Sequence, residues 1–514
     1  MRLTDEAPIV AAAEAGITVF DTARAYGDSE RMLGRVVRDL GAPVRVVTKG
    51  GMAEGWVPDG RAKAIRADCE RSLAELGVPI DLYLLHAPDP RTPWSTSVRA
   101  LARLVDEGLV KRVGLSNVNR PQLEAAMELA PIAAVEVALS KSDDRHLRGG
   151  MVARCAELGI TLIAHSPLGG PRRAKKPTSD EAEEALAWLL ALGPHVVAIP
   201  GATRVETARS AAHAAALTMQ IPQQPQAQSP SRNGEVVLVM GIPGSGKSRG
   251  AAAWVTRDYQ RFNRDERGGS LKALAAALDE QLAAGATHVV LDNTYLTRAS
   301  RNEVIEAAHR HGLAARCIWL DVPLAQAQIN VVERLLDQFG RLPTPQELRD
   351  SRAPGALLPT SQMRAVRELE PPTADEGWDG IEHVSFVRER APGRAGVFVA
   401  AAAVIAGFRQ TGEPCLIFDW DPDGRRERLD EALERMGGNA EGSLCPHAAG
   451  PPQCWCRPPL PGLLLVFSRR HGIDPATSLV VGTGSAHRTL AEALGARYQQ
   501  LAAPGPSPLH SARE

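Results

Sequence analysis

Three groups of residues in this chain have types and spacings that can do chemistry. The first is Gly241-Ile-Pro-Gly244-Ser245-Gly246-Lys247-Ser248, which follows the apolar run Val236–Met240 and fills every fixed position of G-x-x-x-x-G-K-[ST]. A strand feeding such a turn and then a helix cradles nucleotide phosphates. The glycines let backbone N–H groups point inward, and the helix N-terminus adds partial positive charge. Lys247 would reach the outer phosphates and Ser248 would hold Mg²⁺ through its hydroxyl. The second group is Asp21, Tyr26, Lys49 and His86, each at or just beyond the end of an apolar segment. Singly, these residues read as well as a stabilising ion pair and a satisfied buried histidine. The third is Cys445-Pro-His447 with Cys454-Trp-Cys456, which gather three thiols and an imidazole within twelve residues. That donor set suits tetrahedral Zn²⁺ in softness and in number.

These groups need elements to position them. Short apolar runs alternate with amphipathic stretches at Thr18–Phe20, Val44–Thr48, Asp81–Leu85, Val110–Gly114, Ala133–Val137, Thr161–Ala164 and Val196–Ile199. Such alternation predicts parallel strands with helical crossovers, here a (β/α)8-type TIM barrel lacking its first strand. Chemistry in barrels of this kind collects at the C-terminal strand ends, where the second group lies. Gln220–Gly234 is rich in Pro, Gln and Ser and carries no hydrophobic period, so it reads as a linker. The predicted parts are a barrel at 1–217, a linker at 218–234, a P-loop domain at 235–375, a third α/β domain at 376–500 and a disordered tail at 501–514. The net charge of −1 exerts no global pull toward nucleic acid or acidic membranes. The absence of an uninterrupted apolar stretch long enough to span a bilayer argues against a membrane partner. Seven cysteines in 514 residues do not suggest a disulfide framework, so a reducing cytoplasm is the expected location.

The first part resembles the aldo-keto reductase family. The matching pieces are Phe20-Asp-Thr-Ala-Arg-Ala-Tyr-Gly27, Thr48-Lys-Gly50, Leu84-Leu-His86, Val113-Gly-Leu-Ser-Asn117, His165-Ser-Pro-Leu-Gly169 and Ile199-Pro-Gly-Ala-Thr-Arg204. The resemblance implies that Tyr26 protonates a carbonyl oxygen as hydride arrives from NADPH. Lys49, held by Asp21, would stabilise the developing tyrosinate and lower the Tyr26 pKa, while His86 orients the carbonyl. It implies cofactor contacts from Ser116, Asn117 and Ser166, and from Thr203 and Arg204 toward a 2′-phosphate. The sequence departs from the family where Glu136 and Leu139 replace an amide and a stacking aromatic, and where Ala211 replaces an asparagine. Met1–Thr4 looks like the tail of a missing first strand, through a late start assignment or an incomplete barrel.

The middle part resembles polynucleotide-kinase-like P-loop proteins over about residues 235–370. Asn263-Arg264-Asp265 matches the segment whose acid deprotonates a 5′-hydroxyl, and Asp292-Asn293-Thr294 matches the metal-side acid. Arg334 is the first candidate for the lid arginine that steadies the transferring phosphoryl group, and Arg341 the second. Arg267 lies one position early for the arginine that grips the substrate phosphate.

The third part resembles zinc-bearing phosphatases of the haloacid dehalogenase superfamily, the histidinol-phosphate and heptose-bisphosphate branch. Cys445, His447, Cys454 and Cys456 would hold a structural zinc, followed by Pro461-Gly-Leu463, Gly472-Ile-Asp-Pro475 and Val480-Val-Gly482. The expected nucleophile strand, Gly396–Ala400, ends in alanines. Leu460 replaces the supporting lysine, Thr483 replaces a late metal-binding acid, and the pair Asp419-Trp-Asp421 falls at a later strand. These losses predict a shortened, degenerate, inactive domain. The combined expectation is a multidomain α/β fusion of an NADPH-dependent carbonyl reductase with an ATP- and Mg²⁺-dependent P-loop kinase. Its phosphoryl acceptor would be a 5′-hydroxyl nucleic-acid end. The alternatives are a metabolic reductase–kinase acting on a small hydroxyl compound and a nucleotide-binding scaffold.

Overall fold

The computed structural model describes residues 5–40, 43–170, 177–201, 204–217, 219, 233–351, 353–386, 388, 393–409, 413–438 and 440–502. Thr203, Met1–Thr4, residues 220–232 of the Pro/Gln-rich stretch and residues 503–514 of the tail lie outside them. The chain divides into two compact units, residues 1–226 with 298–302, and residues 227–297 with 303–514. Among the described residues, no helix is long and apolar enough to cross a membrane.

The first unit is built on a seven-stranded parallel sheet whose neighbours follow chain order. Its strands are β1 (Val19–Asp21), β2 (Arg45–Gly50), β3 (Leu82–Leu85), β4 (Val113–Ser116), β5 (Ile132–Ala138), β6 (Thr161–His165) and β7 (Val196–Ala198). Side chains alternate along a strand, so each strand feeds two cores. Val46, Tyr83, Leu85, Leu115, Val135 and Leu162 face the helix layer. Val47, Leu82, Leu84, Ala134 and Ile163 pack together on the other face, inside the curled sheet. Two residues further along the same parity come Lys49 after Val47, His86 after Leu84, Glu136 after Ala134 and His165 after Ile163. Strand parity therefore delivers the polar groups to one interior face at the C-terminal strand ends. One strand differs from the sequence reading. Leu109 and Val110 spend their N–H groups on Leu104 O at a helix end, so the strand starts at Val113 rather than Val110. Helix α1 (Ala7–Glu14) packs Ala11 and Ala12 on Ala208 of α2 (Val205–His213).

The second unit holds two five-stranded parallel sheets. The first has the order β9-β10-β8-β11-β12, with β8 (Glu235–Met240), β9 (Gln260–Phe262), β10 (His288–Leu291), β11 (Ala314–Asp321) and β12 (Gly380–Ser385). Gly380–Ser385 pairs with β11, so this sheet continues past residue 375. Helix α3 (Lys247–Val255) follows the glycine-rich turn, and α4 (Leu324–Phe339) follows β11. The other sheet has the order β15-β14-β13-β16-β17, with β13 (Val397–Ala400), β14 (Cys415–Trp420), β15 (Glu441–Cys445), β16 (Leu479–Gly482) and β17 (Arg497–Gln500). Val331, Val332, Leu335 and Leu336 of α4 share one buried core with Phe398, Phe418, Trp455 and Leu464. The two sheets of this unit are thus joined through apolar packing of α4, which also carries Arg334.

Candidate active sites

In the first unit, Lys49 is fully buried and its Nζ lies 2.5 and 2.6 Å from the two Asp21 oxygens and 3.1 Å from Thr22 O. Glu136 Oε2 is also 3.1 Å from Nζ, outside hydrogen-bond alignment. Tyr26 ends the short helical turn Arg24–Tyr26, and Lys49 Nζ sits 5.8 Å from its ring centre. The His86 imidazole meets the Tyr26 ring edge-on at 5.7 Å. Trp56, 53% exposed, stands 5.9 Å from Tyr26 and 5.7 Å from His86, completing an aromatic cluster at the mouth. Asn117 Nδ2 donates to His86 O and to Ser116 Oγ, and Asn117 Oδ1 faces His165 Nε2 at 3.2 Å. His165 Nδ1 reaches Ser166 Oγ at 3.1 Å. Asn117 and Ser166 hold left-handed backbone conformations, φ 58° and 52°, a strain that concentrates at functional sites. Arg204 is exposed at the start of α2.

Burial and charge set the protonation of this cluster. Burial works against the Lys49 ammonium, but Asp21, Glu136 and Tyr26 outweigh it and hold the pKa above the ordinary lysine value. Burial raises the Tyr26 phenol; Lys49 opposes the rise, and Asp21 and Glu136 add to it. The net direction is upward, unlike the lowered pKa expected from Lys49 alone, because burial outweighs the pull of that ammonium and the two carboxyls add to the rise. Burial, then Asp21, pushes Glu136 up to about 8 against the pull of Lys49. Burial, then Lys49, brings His86 down to about 4, so its ring is neutral at physiological pH. His86 Nδ1 is buried with no hydrogen-bond partner, as expected of a group that faces a ligand. Trp56 and the Glu136–Lys49 contact escaped the sequence reading. A tryptophan soon after the strand bearing Lys49 was the available signal for the first.

In the second unit, the glycines of the phosphate loop meet real geometric needs. Gly244 has φ +88°, and a Cβ there would lie 2.4 Å from Ala327 O of α4. Gly241 and Gly246 also have positive φ. Lys247 Nζ donates to Ile242 O at 2.9 Å, and burial, then Arg334, lowers its pKa to about 8. Ser248 is exposed, while Ser245 Oγ and Asn293 Nδ2 are buried without partners. Crowded cations and orphaned polar atoms fit a phosphate group with its Mg²⁺. Loop carbonyls are tied back by residues the motif does not contain: Asn330 Nδ2 bonds Gly244 O at 2.9 Å and Gln362 Nε2 bonds Pro243 O at 2.7 Å. Arg388 in turn holds Asn330 Oδ1 at 2.6 Å.

Of the remaining predicted groups, Arg334, Asp292 and Asp265 lie in the field of Lys247. Asp292 is buried, with its oxygens taken by Arg261 at 2.6 and 3.1 Å and by Asn263 at 2.9 Å. Asp265 is exposed on the short helix after Asn263, whose Oδ1 accepts its N–H. Arg334 packs against Gly355, where a Cβ would come within 2.1 Å of its Nη1. Arg341 is committed to Glu347, and Arg267 lies 4.0 Å over the Phe262 ring. The Arg261–Asp292 pair crosses adjacent parallel strands, so it depends on register rather than on a local motif.

Cys445, His447, Cys454 and Cys456 bring their donor atoms within 4.8 Å of one another. Cys445 Sγ lies 3.3 Å from Cys456 Sγ and 3.7 Å from Cys454 Sγ, and His447 Nδ1 lies 3.2 Å from Cys456 Sγ and 3.5 Å from Cys445 Sγ. A tetrahedron with metal–sulfur bonds of about 2.3 Å has donor edges of about 3.5–3.8 Å, so the four residues fit Zn²⁺. Trp455, between two of these cysteines, is fully buried and donates its Nε1–H to Leu357 O at 2.9 Å. Asp419 is buried and paired with Arg428 at 2.6 and 2.7 Å, and Asp421 lies 3.6 Å from Arg425. Ala400 closes β13, Leu460 is buried, and Thr483 N donates to His487 Nδ1.

Comparison with known proteins follows the division between the units. The family model described as the aldo/keto reductase family matches residues 4–185, and the one described as an AAA domain matches residues 236–350. Over 238 residues the chain is 33% identical to probable aldo-keto reductase 1 of Glycine max, covering 37% of this chain and 68% of that protein. Over 241 residues it is 30% identical to aldo-keto reductase str7 of Strobilurus tenacellus, covering 38% and 71%. Among solved structures, the aldo-keto reductase from Klebsiella pneumoniae in complex with NADPH is 26% identical and covers 42% of this chain and 80% of that one, with a TM-score of 0.36.

Proposed function

This chain belongs, through its N-terminal part, to the aldo-keto reductase family, and from that premise we propose that its barrel reduces small aldehydes or ketones with NADPH. The observation that carries the reading is the Lys49 ammonium, clasped by Asp21 and set 5.8 Å from the Tyr26 ring with His86 alongside. Tyr26 gives its proton to the carbonyl oxygen, and Lys49 stabilises the phenolate left behind. His86, neutral, orients the carbonyl. Ser116, Asn117 and Ser166 would hold the nicotinamide end, Thr203 and Arg204 the far phosphate, and NADPH when bound supplies the hydride. Titration of NADPH fluorescence and a carbonyl-substrate panel test the proposal. A Tyr26→Phe variant that reduces carbonyls as fast as the parent would refute the assignment.

The P-loop unit is proposed to transfer a phosphoryl group from ATP to a hydroxyl acceptor. Lys247 and the loop N–H groups would hold the phosphates, Ser248 and Asp292 the Mg²⁺, and Asp265 would accept the hydroxyl proton. Arg334 would steady the spreading charge. Kinase-like and phosphatase-like parts on one chain favour a 5′-hydroxyl nucleic-acid end over a small metabolite, by analogy alone. The engagement of Asp292 by Arg261 favours a second reading, nucleotide binding without transfer. Labelled ATP with 5′-hydroxyl oligonucleotides, against a metabolite panel, separates these readings; transfer that survives Lys247→Ala would sink the site. The third sheet is proposed as a phosphatase-like fold that has lost its acids and keeps a structural Zn²⁺ on Cys445, His447, Cys454 and Cys456. The working parts are taken as residues 1–217, a P-loop part that runs from 235 past the predicted 375 to the end of β12 at Ser385, and the remainder to residue 500.

A further inference from the structure

The proposed reductase site contains one buried acid that the reaction above leaves unused. Glu136 is 3% exposed on β5, opposite Ser116 of β4 and Ile163 of β6. It approaches Lys49 Nζ at 3.1 Å, while Asp21 holds the same nitrogen with both oxygens at 2.5 and 2.6 Å. One ammonium therefore serves two carboxyl groups in a space closed to water. The charged and titratable groups facing Glu136 are Lys49 from β2, Asp21 from β1 and Tyr26 from the turn after β1. His86 and His165, at the ends of β3 and β6, lie in the field of Lys49.

We propose that Glu136 is a positioning residue of the Tyr26 site: it shares Lys49 with Asp21 and so controls how far that ammonium can stabilise the Tyr26 phenolate. The proposal rests on the reductase reading of the barrel. Two carboxyls and one ammonium are neutral only if one carboxyl keeps its proton, and Asp21 has the shorter, two-oxygen hold on Nζ. Glu136 is therefore the proton holder, in line with its upward shift to about 8. While Glu136 is neutral, the full charge of Lys49 serves Tyr26. Once Glu136 loses its proton to solvent, a negative charge joins the cluster, the phenol grips its proton more tightly and Tyr26 becomes a weaker acid.

The test reads Tyr26 directly, in the full chain and without cofactor. Phenolate absorbance is titrated in the parent and in Glu136→Gln, with Tyr26→Phe in each background to assign the signal among the five tyrosines. At the high pH where tyrosine ionises, Glu136 is charged in the parent, so Glu136→Gln should lower the Tyr26 midpoint by on the order of one pH unit or more. Equal midpoints would overturn the proposal. If the glutamine variant's barrel fails to fold, which shows as Tyr26 and the buried Tyr83 both titrating near the free value of about 10, Glu136→Ala is read the same way. A second readout is the pH profile of carbonyl reduction, expected to fall above about pH 8 in the parent but to stay flat in Glu136→Gln; superimposable profiles also overturn it. Failure of the reductase reading looks different, since it removes turnover in both proteins while leaving the phenol titration to be compared.

Discussion

Glu136→Gln should stabilise the barrel, and by more as the pH rises from 4.5 to 8. The Glu136 carboxyl is raised from 4.5 to about 8 by burial and by Asp21, against Lys49. Between those values the folded protein keeps a proton that the unfolded chain has released. A group with a raised folded pKa contributes stability that is complete below its unfolded value and lost as pH rises through its folded value. A window of about 3.5 pH units at about 1.4 kcal/mol each sets a ceiling of about 5 kcal/mol. Coupling within the buried cluster reduces the working figure to on the order of 2–4 kcal/mol. Lys49 does not alter the sign, because its own raised pKa keeps its contribution intact throughout this window. Glutamine removes the titration and leaves the Asp21–Lys49 pair in place. The assay is urea unfolding of the full chain, followed by brief thiol labelling of Cys69 and Cys155, both fully buried in the first unit. Parent and variant should unfold together near pH 4.5 and separate steadily toward pH 8. Unfolding midpoints that stay parallel across that range would refute the reasoning.

Further outcomes follow from the same geometry. His86 is held near 4 by burial and Lys49, so the barrel should lose stability as pH falls from about 6.5 toward 4, and His86→Gln should flatten that limb of the unfolding curve. ATP binding should draw a proton onto Lys247, whose pKa is depressed to about 8; calorimetry near pH 8–9 in buffers of different ionisation heat should show uptake, absent in Lys247→Met. Gly244→Ala forces a Cβ to 2.4 Å from Ala327 O at φ +88°, and should weaken ATP binding at least about tenfold without changing NADPH binding. Metal analysis should find one zinc per chain in the parent and less in Cys454→Ser, in which exposure of Trp455 should red-shift the fluorescence.

Some of this was legible residue by residue. The phosphate loop is a single local segment, and its glycines announce the close approach to α4 that the fold requires. Asp21, Lys49 and His86 could be placed because strand parity and the strand-end rule act within a few residues of each. The cluster of three thiols and an imidazole was legible because all four donors lie within twelve residues. Other parts of the sites were not. Glu136 stood out only as a departure from a family pattern, and its pairing with Lys49 depends on β2 and β5 meeting across the interior of a curled sheet. Arg261 meets Asp292 only through the register of β9 on β10, which no local motif announces. Asn330 and Gln362 belong to helices whose periodicity says nothing about which loop carbonyl they will hold.

By itself the sequence determined the element types, the phosphate loop, the clustering of three cysteines with a histidine and the order of Asp21, Tyr26, Lys49 and His86, because backbone turn chemistry and side-chain alternation are local properties. Only the tertiary structure decided the electrostatics. It buried Tyr26 and placed two carboxyls on the lysine beside it, which together turned the expected lowering of the Tyr26 pKa into a rise, and it took up Asp292 with an arginine. Coulomb energies depend on distances and burial between residues far apart in the chain, and those are set when strands choose their neighbours and close water out.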